Sequence, residues 1–243
     1  MTTNFSIPTK NDLKTVYKVG AIAVLIQLAT ILLIMGISIA LGLEPRPETV
    51  PEFYAMYGES KLIGMLRDDF SSLILIAMYL GTTPALFFAL REKNFTIVLI
   101  SAIMMLAGTV GAFAVHAGFS MMHLSDLYAA ATTDAQRAQL LAAGEAVLSS
   151  DMWNATAGYM GGILLQGPGV VLSILMLRRK DFSKVTAIAG LIGNALDMVQ
   201  HLLHPFIPEI MGIIQPVMGV FYFVWYPFLA RDFFRLARKD AKE

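Results

Sequence analysis

The chain has 243 residues, 56% hydrophobic and 15% charged, against about 25% charged residues in ordinary soluble domains. Eighteen Lys and Arg balance eighteen Asp and Glu, so the basic excess of a nucleic-acid surface is missing and no nucleic-acid partner is expected. Cysteine is absent, which excludes disulfides, thiolate metal sites, iron–sulfur clusters and a cysteine nucleophile. Any metal would have to be held by His and carboxylates.

Six apolar runs follow one another along the chain, at about 17–43, 70–90, 95–122, 152–177, 184–204 and 210–230. Each reaches the ~20 residues that a helix rising ~1.5 Å per residue needs to cross ~30 Å of hydrocarbon. The first is longer than the ~7–15 residues of a cleavable signal core, so it reads as a retained span. The expected fold is all-α: a single domain, a polytopic bundle of six transmembrane helices whose main partner is the lipid bilayer of the cell membrane.

Orientation follows from Lys and Arg. Fourteen of the eighteen, among them Lys10, Lys14, Arg91, Lys93, Arg178, Arg179, Lys180, Arg231, Arg235 and Lys242, fall on the side that holds the N-terminus, leaving Arg46, Lys61, Arg67 and Arg137 on the other. The positive-inside rule then places both termini in the cytoplasm, with six crossings. The outer loops are acidic, with residues such as Glu44, Asp68, Asp69, Asp126 and Asp151.

Two outer segments are predicted to be helical. PEFYAMYGESKLIGMLRDDF puts Phe53, Met56 and Tyr57 on one face, which suits an amphipathic helix lying at the membrane interface. TTDAQRAQLLAAGEAVLSS opens with Thr133 and Gln136 at capping-box spacing and continues in strong helix formers, as expected of a helix on the outer surface. Prolines at 84, 168 and 216 predict kinks in the second, fourth and sixth spans, which in transporters can mark broken helices along a substrate path. Gly158 with Gly162, and Ala189 with Gly193, have the spacing that allows close helix approach. Trp153, Trp225 and Tyr226 lie near span ends, where interfacial anchors are expected.

Functional residues concentrate in two stripes. At ~100° per residue, Asn194, Asp197, Gln200, His201 and His204 of the fifth span fall within roughly 120°. On the third span Thr109, His116, Ser120 and His123 fall within roughly 60°. Rise per residue places His116 and His201 at a similar depth near the outer surface. The expected site is thus a polar pocket between the third and fifth spans, open to the extracytoplasmic side, with His116, Ser120, His123, Asn194, Asp197, Gln200, His201 and His204 around a small molecule or metal ion. A divalent metal is chemically possible there, held by His116, His201, His204 and Asp197. Two imidazoles on facing helices are also the arrangement of a bis-His haem.

The run LYAAATTDAQRAQLLAAGEAVL, with SILMLRRKDFSKVTAIAGLIGNALD after the next span, resembles a bacterial and archaeal domain-of-unknown-function family of small multi-span membrane proteins, over about Leu124 to Asp197. The resemblance implies a six-helix integral membrane protein and carries no activity, cofactor or site residue. Ser120 with His123, a downstream Asp and a late His pair are similar to parts of the zinc membrane hydrolases of the alkaline ceramidase and adiponectin-receptor type. Those have seven spans and an HxxxH pair, where this chain has six runs and HLLH. Two function classes follow: a non-enzymatic ligand-binding, transporter-like or accessory protein, and a metal-dependent membrane hydrolase.

Overall fold

The computed structural model describes residues 8–42 and 46–239, with the side chain of Lys93 excluded; the predicted span end at Leu43, Glu44 and Lys242 lie outside the described residues. Among the described residues there are ten helices and no strand.

Helix α1, Lys10–Leu41, starts earlier than its apolar run because Thr9 and Asp12 form a capping box, the Thr9 N–H donating to Asp12 Oδ2 at 2.8 Å. It ends at Gly42, whose φ of 58° takes the left-handed conformation that glycine adopts without strain. The outer segment forms α2, Val50–Glu59, capped by Thr49 and Glu52, and α3, Lys61–Arg67, capped by Ser60. Helix α4, Phe70–Ala77, and α5, Tyr79–Ala114, are separated by Met78 alone, and α5 turns at Asn94 (φ −142°, ψ 42°) into two limbs. After a break at 115–117 come α6, Gly118–Ala130, and α7, Asp134–Leu148, the latter with the predicted Thr133–Gln136 capping box. Helices α8, Thr156–Leu177, α9, Lys184–Leu203, and α10, Ile210–Lys239, complete the chain.

Five helices close a ring in which α1 packs on α5, α5 on α8, α8 on α9, α9 on α10 and α10 back on α1, with α4 laid against α1 and α5. A continuous apolar core joins them, running from Tyr17 and Val24 through Leu86, Leu90 and Leu172 to Leu229 and Phe233. Lengths and composition make five segments able to cross a membrane: Lys10–Leu41, Phe70–Glu92, Asn94–Ala130, Thr156–Leu177 and Ile210–Lys239. Large apolar side chains such as Leu33, Ile39, Ile103, Val110, Ile213 and Val220 stand exposed on them, more apolar surface than a soluble monomer carries. The bundle is compatible with an integral membrane protein.

At one end sits a cap with its own core. Helix α2 packs on α6, α7 and α3, burying Val50, Phe53, Tyr54, Met56 and Tyr57 against Met65, Ala117, Met121 and Leu148. The expected interfacial helix is corrected here, since the face of Phe53, Met56 and Tyr57 is taken up by protein. At the opposite end, Asp232 accepts from the Ser183 N–H (2.8 Å) and the Thr186 hydroxyl (2.6 Å), fastening the start of α9 to α10.

Two further expectations change. The third apolar run is continuous in sequence but broken in space at 115–117, where the His116 Nδ1 meets the Ala112 carbonyl at 2.6 Å and Asp69 accepts from the Gly118 N–H at 2.5 Å. These contacts satisfy a carbonyl at the end of α5 and an amide at the start of α6, so the chain can turn. Pro84, Pro168 and Pro216 lie inside helices α5, α8 and α10, and the non-helical residue inside α5 is Asn94. Trp225 and Tyr226 are buried core residues rather than surface anchors.

Candidate functional site

The polar side of α9 turns into the ring. There it lines an inner chamber of about 270 Å³, walled by Gln27 of α1, Tyr79 of α5, Gln166 of α8, Asp197, Gln200 and His201 of α9, and Gln215, Tyr222 and Tyr226 of α10. Asp197 organises it. Its Oδ2 accepts from the Tyr222 hydroxyl at 2.9 Å, an oxygen that also lies 3.3 Å from Gln166 Oε1. Its Oδ1 lies 3.2 Å from His201 Nδ1, which is also 3.0 Å from the Asp197 backbone carbonyl. Two acceptors around one ring nitrogen assign the proton to Nδ1.

The close approach of α8 makes room for this column. A Cβ on Gly162 would fall 2.0 Å from His201 Cδ2, and one on Gly169 would fall 2.2 Å from Asn194 Oδ1. Small residues on α8 therefore admit large polar ones from α9. On the chamber wall the rings of Tyr222 and Tyr226 stack at 5.5 Å, while Trp153 stacks on His201 at 5.3 Å. The Gln200 Oε1 is buried with no protein partner.

A smaller outer chamber, about 120 Å³, adjoins it under the cap and is lined by Arg46, Asp68, Asp69, His116 and Asp151; Ser72, Met152 and Trp153 line both chambers. Arg46 bridges two carboxylates, Asp68 Oδ1 at 2.7 Å and Asp151 Oδ2 at 3.2 Å. Burial pulls the guanidinium down, but the two carboxylates outweigh it and hold it above its ordinary value. The Tyr57 hydroxyl donates to Asp68 Oδ2 at 2.9 Å, and burial together with Asp68 raises this phenol well above the usual range. Burial and the neighbouring Asp68 charge likewise push Asp69 up, opposed by the Gly118 N–H.

The predicted residues are thus only partly brought together. Asp197, Gln200 and His201 share the inner chamber. His116 lines the outer one. His204 lines a separate open depression with Tyr159 and Phe206, its ring edge-on to Trp153 at 5.0 Å. Asn194 is spent on α9 itself, donating to the Gly190 carbonyl at 2.7 Å. Ser120 and His123 are exposed on α6, beyond the break. The expected facing of the third and fifth spans is corrected as well, because α8 packs between α5 and α9.

Metal chemistry fits poorly. Among the described residues no group of three His, Asp or Glu is placed to hold a metal ion, so the set of His116, His201, His204 and Asp197 is not assembled. For a bis-His haem, the His116 and His201 imidazoles line different chambers.

Several lining residues escape a helical-stripe reading: Gln27, Tyr79, Tyr222, and the Arg46, Asp68 and Asp151 node. One signal was present, since Gln27, Gln166 and Gln215 are each an isolated amide in an apolar run. The chain matches no family model, no curated protein and no solved structure at a significant level.

Proposed function

We propose that this chain is a six-span protein of the cell membrane, both termini cytoplasmic, that binds a small polar ligand in the inner chamber and admits it from the extracytoplasmic side. It is a binding or transporter-like protein rather than an enzyme. The observation that carries the reading is the inner chamber itself, a polar space organised by Asp197, Tyr222 and Gln166 inside a ring of apolar helices. Buried polar groups within a membrane domain are costly and mark ligand or ion paths.

Helix α9 is the sixth crossing in this reading. Its 20 residues suffice for the length, and its hydropathy is diluted by the residues turned inward, while Val185, Ile188 and Val199 are exposed on its outer side. The distribution of Lys and Arg supports the orientation. The resemblance of the 124–197 region to a six-span family of unknown function belongs to the same proposal.

The chamber is tested by filling it. Met218 lines it, and Met218→Trp should abolish the thermal stabilisation that at least one small polar solute gives the wild-type protein. If every stabilising solute acts equally on both, the chamber is not the binding site. Topology is tested separately in this cysteine-free chain: Ala142→Cys should react with an impermeant maleimide in intact cells, and Lys180→Cys only after permeabilisation.

A further inference from the structure

The chemistry of the inner chamber narrows the ligand class. Among the described residues no Lys or Arg lines it; its ionisable groups are Asp197, His201, Tyr79, Tyr222 and Tyr226. The His201 contacts are met by a neutral ring, with Nδ1–H shared between the carbonyl and the carboxylate of Asp197. Among the described residues Asp197 has two hydrogen-bonding side-chain partners, His201 and Tyr222, whereas a carboxylate offers about four lone-pair directions.

A carboxylate with no Lys or Arg beside it has room for a donor that brings positive charge. The rest of the wall says which kind. Tyr79, Tyr222, Tyr226 and Trp153 supply aromatic rings to it, and ring faces attract organic ammonium ions, most of all where water is excluded. A bare divalent ion would need a set of hard ligands, and no such group of His, Asp and Glu is present among the described residues.

The adjoining chamber agrees with the site. In the outer chamber three carboxylates, Asp68, Asp69 and Asp151, stand against one guanidinium, Arg46. Acidic lining with apolar walls concentrates cations at an entrance.

We propose that the inner chamber selects a small organic ammonium ion, its charge held by Asp197 and its alkyl groups by Tyr79, Tyr222, Tyr226 and Trp153. This rests on the ligand-binding reading above and adds the ligand's charge and size. A volume of about 270 Å³ lies just under the usual range for drug-sized pockets, about 300–1,000 Å³, so the ligand carries one charged head and little else.

The test uses the full-length protein in nanodiscs and isothermal titration with tetramethylammonium, choline, ethanolammonium, the neutral choline isostere 3,3-dimethylbutan-1-ol, and acetate. Choline should bind about tenfold or more tighter than its isostere, and acetate should not compete. Asp197→Asn should erase that preference, and Tyr226→Leu should weaken choline more than ethanolammonium. Equal binding of choline and the isostere by wild-type protein overturns the cation proposal while the ligand-binding reading stands, whether or not Asp197→Asn folds. A preference undiminished in Asp197→Asn also overturns it. Binding of no solute of any class, together with no stabilising solute in the Met218→Trp comparison, overturns both.

Discussion

Gly162→Ala probes the seat of the His201 ring directly. The added Cβ would lie 2.0 Å from His201 Cδ2, 2.3 Å from Cγ and 2.5 Å from Nε2, where carbon contacts need about 3.5–4.0 Å. The ring has to retreat by about 1.5 Å, and it is held on two sides, by the Trp153 stack and by Asp197. Losing the ring pair costs about 0.5–1.5 kcal/mol, and losing a hydrogen bond to a charged group about 1.5–3 kcal/mol. Alanine returns roughly 1 kcal/mol of helix propensity. The net expectation is a destabilisation of about 1–3.5 kcal/mol, close to the range of ordinary overpacking. Gly36→Ala on α1 is the control, since its Cβ would meet nothing within 4 Å; a gain of about 0.5–1 kcal/mol is expected there. Thermal unfolding followed by tryptophan fluorescence, at one scan rate in one detergent, should place the Gly162 variant below wild type and the Gly36 variant at or above it. A Gly162→Ala protein that melts with Gly36→Ala would refute the placement of the His201 ring against α8.

Asp68→Asn should loosen the cap. It removes the charge opposite Arg46 and leaves that guanidinium with Asp151 alone, at a cost of about 1–3 kcal/mol, discounted because Arg46 is a third exposed; hydrogen exchange in α2 and α6 should speed up while α8 is unaffected. At the other end, burial raises Asp181, but Lys239 and Arg179 outweigh it and hold the carboxyl below its ordinary value. A lowered native pKa gives stability that is present above the unfolded value and is lost as pH falls through the native one. Asp181→Asn should therefore melt slightly below wild type at neutral pH, and the gap should close below about pH 4. A gap that persists in acid would show that the ion pairs are not its cause.

Local signals in the chain told where helices begin and which stretches are apolar, as at Thr133 and Gln136, whose side chains act on backbone a few residues away. The break at 115–117 had no such signal. Its partner for the Gly118 amide is Asp69, 49 residues earlier, and nothing between Ala112 and Gly118 resembles a turn motif. The same limit explains the site. Asp197, Gln200 and His201 were readable as a stripe because helical spacing alone puts them on one side, but which helix faces that stripe is a matter of packing. Gly162 and Gly169 settle it in favour of α8, and Tyr222 reaches Asp197 from α10. Trp225 is buried for a similar reason: a Cβ on Gly190 would lie 2.4 Å from its Nε1, so the ring fills space that a missing side chain on α9 leaves open.

The cap is assembled from two stretches of chain that lie far apart, α2 with α3 and α6 with α7. A ribosome delivers the first long before the second. Until residue 148 has been made, the apolar flank of Phe53, Tyr54, Met56 and Tyr57 lacks the Met121 and Leu148 side chains that later cover it. Such unfinished surfaces are what makes nascent intermediates sticky.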